Sequence, residues 1–252
     1  MCGIAGIYGA VDRAAVARML DQQKSRGPDG RRIWTSHHGM TLGHDRLAII
    51  DLEGGAQPLS NEDGTLWLAV NGQIYNHEAL RKELEGRHTF KTRSDSEVVL
   101  HLFEEYGPDC VKKLDGMFAI ALWSASGGLF LARDPLGIKP LYWGRDAEGN
   151  LLFASEIKAL VNEVPVVNEF PNGHYWQVGR SMVQYDAVPR PQSVISGVGQ
   201  AIDALDETLT RAVVKRLMSD VPVGCFLSGG LDSSLIAAIM RQHVQGDMHT
   251  FS

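Results

Sequence analysis

The stretch Met117-Phe118-Ala119-Ile120-Ala121-Leu122-Trp123 indicates the fold class of this chain. Its residues are all apolar, so it predicts a strand that is buried on both faces. A short connection, Ser124 to Gly128, separates it from a second apolar run, Leu129 to Ala132. A link of that length requires antiparallel pairing of the two strands. We therefore expect stacked antiparallel sheets that are covered by helices.

Further short apolar runs on both sides of this stretch also predict strands, because Gly and Pro punctuate them. They are Gly3 to Tyr8, Met40 to Leu42, Leu66 to Val70, Leu141 to Trp143 and Leu151 to Ala154. The last two flank the short connection Arg145 to Asn150. This link again favours antiparallel pairing.

Three helices are predicted between these strands. The first carries Val16, Met19, Leu20 and Gln23 at helical spacing, and the second carries Leu80 and Leu84 after the candidate N-cap Asn76. The third helix is predicted to start at a capping box, Ser94-Asp95-Ser96-Glu97, and to end at Gly107-Pro108. Its predicted inward residues are Val98, Val99, Leu102 and Tyr106.

The pattern changes near residue 186. Residues 186–199 are rich in Pro, Ser and Gly and predict a linker. An amphipathic helix follows, with apolar residues at intervals of three or four, namely Ile202, Leu205, Leu209, Val213 and Leu217. Next come a predicted strand, Val221 to Leu227, a glycine turn, Ser228 to Asp232, and a helix, Ser233 to Val244. This order predicts the start of a parallel α/β unit.

Composition restricts the class of partner. The net charge of -6 and the scattered Lys and Arg residues give no basic surface for nucleic acid or an acidic membrane. The three cysteines, Cys2, Cys110 and Cys225, lack the spacing of a disulfide framework or of a metal site, so we predict no metal. Neither a signal peptide nor an apolar run of about 18 residues is present. We expect a cytoplasmic protein.

Cys2 stands second in the chain, in the run C-G-I-A-G-I-Y-G of residues 2–9. Removal of Met1 would give this cysteine a free α-amine, with an ordinary pKa of about 7.7 to 8.0, beside a thiol of about 8.5. The amine can then accept the thiol proton, as in hydrolases with an N-terminal threonine. The alternative is a buried packing cysteine on an apolar strand.

The run Leu227-Ser228-Gly229-Gly230-Leu231-Asp232-Ser233-Ser234 lies between a predicted strand and a predicted helix. Backbone N–H groups and the positive end of a helix dipole converge there, so the loop predicts an anion site. It lacks the spacing and the lysine of a Walker A motif. S-G-G-L-D-S-S resembles the pyrophosphate-binding loop of the ATP pyrophosphatases. The alternative is an ordinary turn with serine caps.

Cys2 and this loop, in that order, resemble glutamine-dependent asparagine synthetase over essentially the whole chain. The resemblance rests also on ordered blocks between them: Arg26-Gly27-Pro28-Asp29-Gly30, His44 to Asp51, Asn71 to His77, Ser94 to Glu97, Asp115 to Ala119, Arg133 to Tyr142 and Ala154 to Leu160. It implies an α+β class II glutamine amidotransferase domain, a four-layer αββα sandwich of the N-terminal-nucleophile hydrolase fold, in residues 1–185. Residues 186–199 would be a linker, and 200–252 an incomplete ATP-pyrophosphatase domain.

The resemblance also implies roles for individual residues. Cys2 would be the nucleophile, with Asn71 and Gly72 as its oxyanion site. Glutamine would be held by Arg46 at its α-carboxylate, by Asp95 and Gln73 at its ammonium, and by a pocket that Leu47, Ile49, Ile50, Asn71 and Gly72 complete. Leu227, Ser228, Gly229, Gly230, Asp232 and Ser233 would bind nucleotide. The glutaminase needs no cofactor, whereas the complete synthetase uses ATP, Mg²⁺ and aspartate.

Two departures from the family pattern limit these expectations. Position 73 usually holds glutamate, and the neutral amide of Gln73 makes a hydrogen bond of ~0.5 to 1.5 kcal/mol instead of a charged one of ~1.5 to 3 kcal/mol, so glutamine would bind about tenfold more weakly. The family's acidic ATP and magnesium motif and its aspartate pocket would lie beyond Ser252. We therefore expect glutamine hydrolysis at best, and no asparagine synthesis, from these residues alone.

Several alternatives stay open at this point. Arg46 has Asp45 and Asp51 as candidate ion-pair partners, Asn71-Gly72 has the composition of a turn, and Asp95 suits a helix N-terminus. Other amidotransferases, which make glucosamine phosphate or phosphoribosylamine, lack the S-G-G-L-D-S-S loop. A carboxylate-activating cyclase and a non-catalytic glutamine-binding subunit are the remaining alternatives. The sequence does not indicate an oligomeric state, and a homodimer is kept beside a monomer.

Overall fold

The computed structural model describes residues 1–187, 195 and 197–252. The chain divides into two compact units, Met1–Val188 and Pro189–Ser252. The elements of the first unit are β1 (Gly3–Tyr8), α1 (Arg13–Gln22), β2 (Gly30–Ser36), β3 (Met40–Arg46), β4 (Leu59–Ser60), β5 (Leu66–Ile74), α2 (His77–Leu84), α3 (Val98–Tyr106), β6 (Gly116–Ser124), β7 (Gly128–Arg133), β8 (Tyr142–Arg145), β9 (Leu151–Ala154), β10 (Asn168–Glu169), β11 (His174–Gln177) and β12 (Val183–Gln184).

Within the described residues, the strands of the first unit form two six-stranded sheets. Their orders are β10-β8-β9-β1-β3-β2 and β12-β11-β7-β6-β5-β4. The neighbours pair antiparallel throughout, including β6 with β7 and β8 with β9 across the two short links. The predicted antiparallel pairing is therefore confirmed.

Three hydrophobic clusters define the layers. Along β6, Ala119, Ala121 and Trp123 pack between the two sheets, against Ile4 and Phe153 of the first sheet. The alternate residues of β6 pack under α2 and α3, and the outer face of the first sheet packs against α1. The predicted α+β sandwich of four layers, helix, sheet, sheet and helix, is confirmed, as is the burial of both faces of β6.

Several strands are longer than the apolar runs that predict them. β3 continues past Leu42 through His44 and Asp45, which are polar but buried, and β5 continues past Val70 through Asn71 and Gln73. Polar residues at a strand end look like loop in a sequence. The edge strand β2 and the two-residue strands were not predicted, because they have no continuous apolar run.

Two expectations about helix starts and faces are wrong. α3 begins at Val98, and its N-cap Glu97 makes no capping bond; the Glu97 carboxylate instead accepts hydrogen bonds from the backbone of Lys91 and Thr92. Ser94-Asp95-Ser96-Glu97 is thus a turn before the helix and not a capping box. Tyr106 is 38% exposed and does not face inward, whereas the predicted end at Gly107 is confirmed.

Asn76 lies at the predicted N-cap of α2, but its side chain does not bond to the helix. Its amide donates to the Lys113 carbonyl oxygen and accepts from the Asp115 N–H. The side chain therefore fastens the start of α2 to the segment that precedes β6.

The second unit contains α4 (Val198–Val214), β13 (Gly224–Phe226), α5 (Leu231–His243) and β14 (His249–Phe251). β13 and β14 pair in parallel, which confirms the predicted parallel α/β arrangement. β13 is shorter than the predicted strand, and α5 begins at Leu231, two residues before the predicted start. On α4, Val213 packs against α5, Ile202 and Leu205 are exposed, and Leu217 lies past the helix end.

Most of the predicted linker, residues 188–194 and 196, lies outside the described residues. Among the residues that are described, no helix combines the length and the apolar character that a membrane crossing requires.

Candidate active site

A cavity opens at one end of the first unit, where the two sheets present their strand termini. Cys2 immediately precedes β1, and the pairing of Gly3 with Asp45 brings Cys2 next to the end of β3. The facing sheet contributes β5, whose residues Asn71, Gly72 and Gln73 line the same cavity. All sequence-predicted residues of the glutaminase site thus surround one cavity.

The Cys2 thiol is held by the backbone of Leu47. The Leu47 N–H donates to Sγ at 3.4 Å, and the Leu47 carbonyl oxygen lies 3.6 Å from Sγ. Burial raises the pKa of the thiol, and the Leu47 N–H, the N-terminal ammonium, Lys139 and Arg46 oppose this rise. The sulfur therefore lies in a buried site whose fixed charges favour the thiolate.

Met1 also lines the cavity, so the residue that blocks the Cys2 amine also takes up space beside the thiol. Arg26 holds the backbone next to it: its Nε donates to the Cys2 carbonyl oxygen at 2.9 Å, and its Nη1 donates to Glu156 at 3.1 Å. Arg26 fixes the backbone of Cys2 by these bonds.

Asn71 and Gly72 lie inside β5 and not in a turn. In the amide orientation that satisfies both neighbours, Asn71 Nδ2 donates to the Cys2 carbonyl oxygen at 3.1 Å and Oδ1 accepts from Arg26 at 3.3 Å. A side chain on Gly72 would begin 2.3 Å from the Met117 carbonyl oxygen. Glycine at this position therefore permits the close approach of β5 and β6 beside the cavity.

Arg46, the last residue of β3, does not form the ion pairs that its neighbours suggested. Asp45 pairs with Arg31 at 2.6 Å. The Arg46 guanidinium donates instead to the carbonyl oxygens of Ile50, at 3.1 Å, of Asp51 and of Leu52. These acceptors are neutral and use three of its five N–H donors, so the guanidinium keeps its charge and further donors for an anion.

The turn that wraps Arg46 is built around Asp51, which has a left-handed backbone with φ of 52°. Asp tolerates this conformation better than most residues, and the Asp51 carboxylate accepts from the N–H groups of Gly54 and Arg93. The turn carries Ile49 and Ile50, which line the cavity together with Leu47.

Asp95 lines the same cavity, and only 5% of it is exposed. Its carboxylate accepts a hydrogen bond from the N–H of Ile74, at the end of β5, at 2.8 Å. Burial raises the pKa of Asp95 from 3.8 to about 6, although the hydrogen bonds from Ile74 and Ser96 oppose the rise. The group is ionised at neutral pH and lies in a site where a cation would stabilise it.

Lys139 also lines the cavity, with 6% exposure. Burial and the Arg26 guanidinium lower its pKa, while Cys2 and Asp134 raise it. The loop that places Lys139 is fixed from both sides, because Asp134 accepts from the Lys139 N–H at 3.0 Å and Arg133 donates to the Lys139 carbonyl oxygen at 2.9 Å.

Sequence reasoning gave no role to Lys139 or Arg26. The signal was present, since both lie in segments that carry the family resemblance, residues 133–142 and 26–30. Other cavity residues that it missed are Met1, Gly55, Gln57, Val70, Ser94, Ser96 and Met117.

The predicted nucleotide loop lies between β13 and α5 in the second unit. Gly229 has φ of 82°, and Gly230 is the N-cap of α5. The hydroxyl groups of Ser228 and Ser233 are 3.0 Å apart, and Leu227 donates to the Phe251 carbonyl oxygen. Leu231 and Asp232 form the first turn of α5. The N–H groups at a helix N-terminus and the serine hydroxyls are donors that suit a phosphate, and the glycines let the backbone approach it closely.

Comparison with known families agrees with both parts of the chain. The family profile described as "Glutamine amidotransferase domain" matches residues 1–210. The profile described as "Asparagine synthase" matches residues 204–252.

Curated relatives extend this finding. A probable asparagine synthetase (glutamine-hydrolyzing) of Dictyostelium discoideum is 44% identical over 259 residues, which cover 97% of this chain and 46% of the relative. Asparagine synthetase B (glutamine-hydrolyzing) of Escherichia coli strain K12 is 44% identical over 258 residues, which cover 96% of this chain and 45% of the relative. The chain spans about half the length of the curated relatives that it matches.

Among solved structures, a glutamine phosphoribosylpyrophosphate amidotransferase from B. subtilis, complexed with ADP and GMP, aligns with a TM-score of 0.63. The alignment has 22% sequence identity and covers 99% of this chain and 65% of that one. At this identity the likeness shows a shared fold.

Proposed function

Because the chain belongs to the family of glutamine amidotransferase domains, we propose that Cys2 is the nucleophile that releases ammonia from glutamine. The observation that carries this proposal is the position of the Cys2 thiol, which shares one cavity with Arg46, Asn71, Gly72 and Asp95. Residues 1–185 form the glutaminase domain in this proposal, residues 186–199 the linker, and residues 200–252 the beginning of a synthetase domain.

The reaction begins after Met1 is removed. The α-amine of Cys2, directly or through water, accepts the thiol proton, and the sulfur attacks the side-chain amide carbon of glutamine. Ammonia leaves with a proton from the same amine, and a γ-glutamyl thioester remains on Cys2. Removal of Met1 thus supplies the base and also clears space in the cavity that Met1 lines.

Water then hydrolyses the thioester to glutamate and regenerates the thiol. Both steps pass through a tetrahedral intermediate with a negative oxygen, which the Asn71 amide and the Gly72 N–H stabilise. One such donor lowers the activation barrier by roughly 3 to 4 kcal/mol. The hydrogen bonds of Asn71 to Cys2 and Arg26 keep its amide beside the nucleophile.

Glutamine is recognised at its backbone end. The Arg46 guanidinium binds the α-carboxylate, for which its planar donors are well shaped. Asp95 and Gln73 bind the α-ammonium, and Leu47, Ile49 and Ile50 contact the aliphatic part of the substrate. Arg46 and Asp95 differ in charge and both line the cavity, so they orient a zwitterionic substrate in one direction.

The whole protein to which these residues correspond is proposed to be an ATP-dependent asparagine synthetase. Its substrates would be aspartate, ATP and glutamine, with Mg²⁺ as the metal. Leu227, Ser228, Gly229, Gly230, Asp232 and Ser233 fit a pyrophosphate group, through the Gly229 conformation and the start of α5. A cytoplasmic location and a homodimer belong to the same proposal.

A tagged form of the chain tests the nucleophile. A cleavable tag that ends directly before Cys2 blocks the amine, and cleavage releases it. We expect no ammonia from glutamine before cleavage, turnover after cleavage, and no turnover by cleaved Cys2→Ala. Cys225→Ala is the matched control and should stay active. Equal turnover before and after cleavage would refute the role of the amine.

The same assay separates the enzyme from a non-catalytic glutamine-binding subunit. Such a subunit would bind glutamine, measurable by calorimetry, and release no ammonia in any form. The charge pair Arg46 and Asp95 is compatible with either function, whereas the Cys2 thiol beside Asn71 favours the enzyme.

A further inference from the structure

Two histidines and two glutamates meet on the outer side of the second sheet, away from the cavity. Glu62 lies in the turn between β4 and β5, His88 in the loop after α2, and His101 and Glu104 lie on α3. One ligand atom from each of the four side chains can be chosen so that all lie within 4.8 Å of one another. Three separate segments of the chain therefore contribute ligand-type atoms to one point.

The distances between nitrogen and oxygen atoms of the cluster are close to those of a particular geometry. His88 Nδ1 lies 3.3 Å from Glu62 Oε1 and 3.6 Å from Glu104 Oε2, and His101 Nδ1 lies 3.5 Å from Glu62 Oε2 and 3.1 Å from Glu104 Oε2. Zinc binds imidazole nitrogen and carboxylate oxygen at about 2.0 to 2.2 Å in a tetrahedron, whose edges are then about 3.3 to 3.6 Å. The four measured distances lie around these edges.

The outer neighbours of the cluster also suit a metal. The Glu105 carboxylate lies 3.2 Å from His88 Nε2. His101 Nε2 is buried, has no hydrogen-bond partner among the described residues, and faces the Glu97 carboxylate at 3.9 Å. A histidine that binds metal through one ring nitrogen usually presents the other N–H to a carboxylate or carbonyl oxygen. His88 is oriented in this way, and His101 Nε2 faces a carboxylate at a longer distance.

Both carboxylates of the cluster are also held by residues outside it. Glu62 accepts from the Thr89 N–H at 2.8 Å, and Glu104 accepts from the Asn61 amide at 2.9 Å. His101 and Asn61 are buried, so the protein fixes these side chains before any ion binds. Preorganised ligands reduce the cost of binding.

We propose that Glu62, His88, His101 and Glu104 bind one zinc ion in a tetrahedral site that joins the β4–β5 turn, the loop after α2 and α3. Four protein ligands complete the coordination, so the ion has a structural and not a catalytic role. The site stabilises the segment that runs from His88 to Asp95. Sequence spacing did not reveal it, because these ligands come from distant parts of the chain.

Metal content and coordination geometry test the proposal directly. Bound metal is removed from the purified chain with a chelator, and the chain is then incubated with zinc and desalted. Its metal content is measured by inductively coupled plasma mass spectrometry. We expect one zinc per chain, an increase in the thermal midpoint of unfolding with zinc, and the visible bands of tetrahedral cobalt when Co²⁺ replaces zinc. The proposed glutaminase can fail without affecting these readouts.

His88→Gln should lose zinc and the cobalt bands, whereas His37→Gln, which changes an exposed histidine on the β2–β3 turn, should keep both. If His88→Gln does not fold, Glu62→Gln on the partly exposed turn provides the same comparison. Retention of stoichiometric zinc by these variants would overturn the proposal. So would a wild-type chain without zinc, or with the weak spectrum of octahedral cobalt.

Discussion

Two buried ionisable residues, Lys139 and Asp95, share the cavity with Cys2. Lys139 supports the thiolate form of Cys2, and Asp95 is a carboxylate whose ionisation is costly in the unliganded protein. Burial lowers the pKa of Lys139 and raises that of Asp95, and such shifts are common at functional sites. Their effects can be measured separately.

Lys139→Met should raise the pKa of the Cys2 thiol, because it removes a positive charge that opposes the effect of burial. We expect the midpoint of the pH dependence of Cys2 alkylation to move upward by about half a unit to one unit. Iodoacetamide labelling followed at the Cys2 peptide measures it. Lys112→Met, at an exposed lysine paired with Asp109, is the control. An unchanged midpoint would contradict the electrostatic role of Lys139.

The glutamine affinity should fall as the pH decreases through about 6, because Asp95 becomes protonated there and no longer binds the ammonium. The pH dependence of kcat/KM for glutamine measures this change, and the acidic limb should be absent in Asp95→Asn. The same limb in both proteins would assign it to another group.

The same carboxyl should lower stability at neutral pH. Its folded pKa of about 6 lies above the unfolded value of 3.8, so the folded state loses stability as the pH rises between these values. A shift of two units corresponds to roughly 3 kcal/mol. Asp95→Asn, which keeps an acceptor for Ile74, should therefore increase the free energy of unfolding, more at pH 8 than at pH 5. Urea denaturation at both pH values measures this difference. A variant that is no more stable than the parent chain at pH 8 would contradict it.

Gln73→Glu should lower the KM for glutamine by about tenfold, because it replaces a neutral hydrogen bond to the ammonium by a charged one. Gln73 lines the cavity at the end of β5. Steady-state kinetics of ammonia release measures the effect. An equal or higher KM would show that position 73 does not contact the ammonium.

At the scale of elements, the sequence predicted the strands that have a continuous pattern of apolar residues. β1 and β9 match their predicted bounds, and β6 is buried on both faces as expected. The ends of β3 and β5 were missed because they carry Arg46, Asn71 and Gln73, polar residues that line the cavity. The sequence also did not predict some local hydrogen bonds. Glu97 has the spacing of a capping box, but its carboxylate accepts from the backbone N–H groups of Lys91 and Thr92, which lie in the preceding loop.

The contact between α1 and β3 depends on Gly43. A side chain there would begin 2.7 Å from Val16 and 2.8 Å from Leu20. Gly43→Ala should therefore destabilise the first unit by about 1 to 3 kcal/mol through overpacking. Gly30→Ala has no atom within 4 Å of the added carbon and should change stability little. Chemical denaturation compares them, and equal effects would mean that α1 shifts freely.

At the scale of the molecule, every residue that lines the cavity belongs to the first unit. The second unit exposes large apolar side chains, with Phe226 84% and Leu231 83% exposed. The family resemblance predicted the order of the two units.

A chain that ends at residue 187 should therefore keep its glutaminase activity. We expect kcat/KM for glutamine within about a factor of two of the longer chain, and weaker binding of a hydrophobic fluorescent dye because the exposed apolar residues are removed. Ammonia release and dye titration measure the two effects. Loss of activity in a folded truncated chain would show that the second unit contributes to the site.

The most direct measurement is the location of a covalent adduct. The purified chain is treated with a diazoketone analogue of glutamine, digested and analysed by mass spectrometry, with and without excess glutamine. One adduct is predicted on the sulfur of Cys2, in molecules that have lost Met1, and glutamine should prevent its formation. An adduct on Cys110 or Cys225, or labelling of Cys2 that glutamine does not prevent, would contradict the proposed nucleophile.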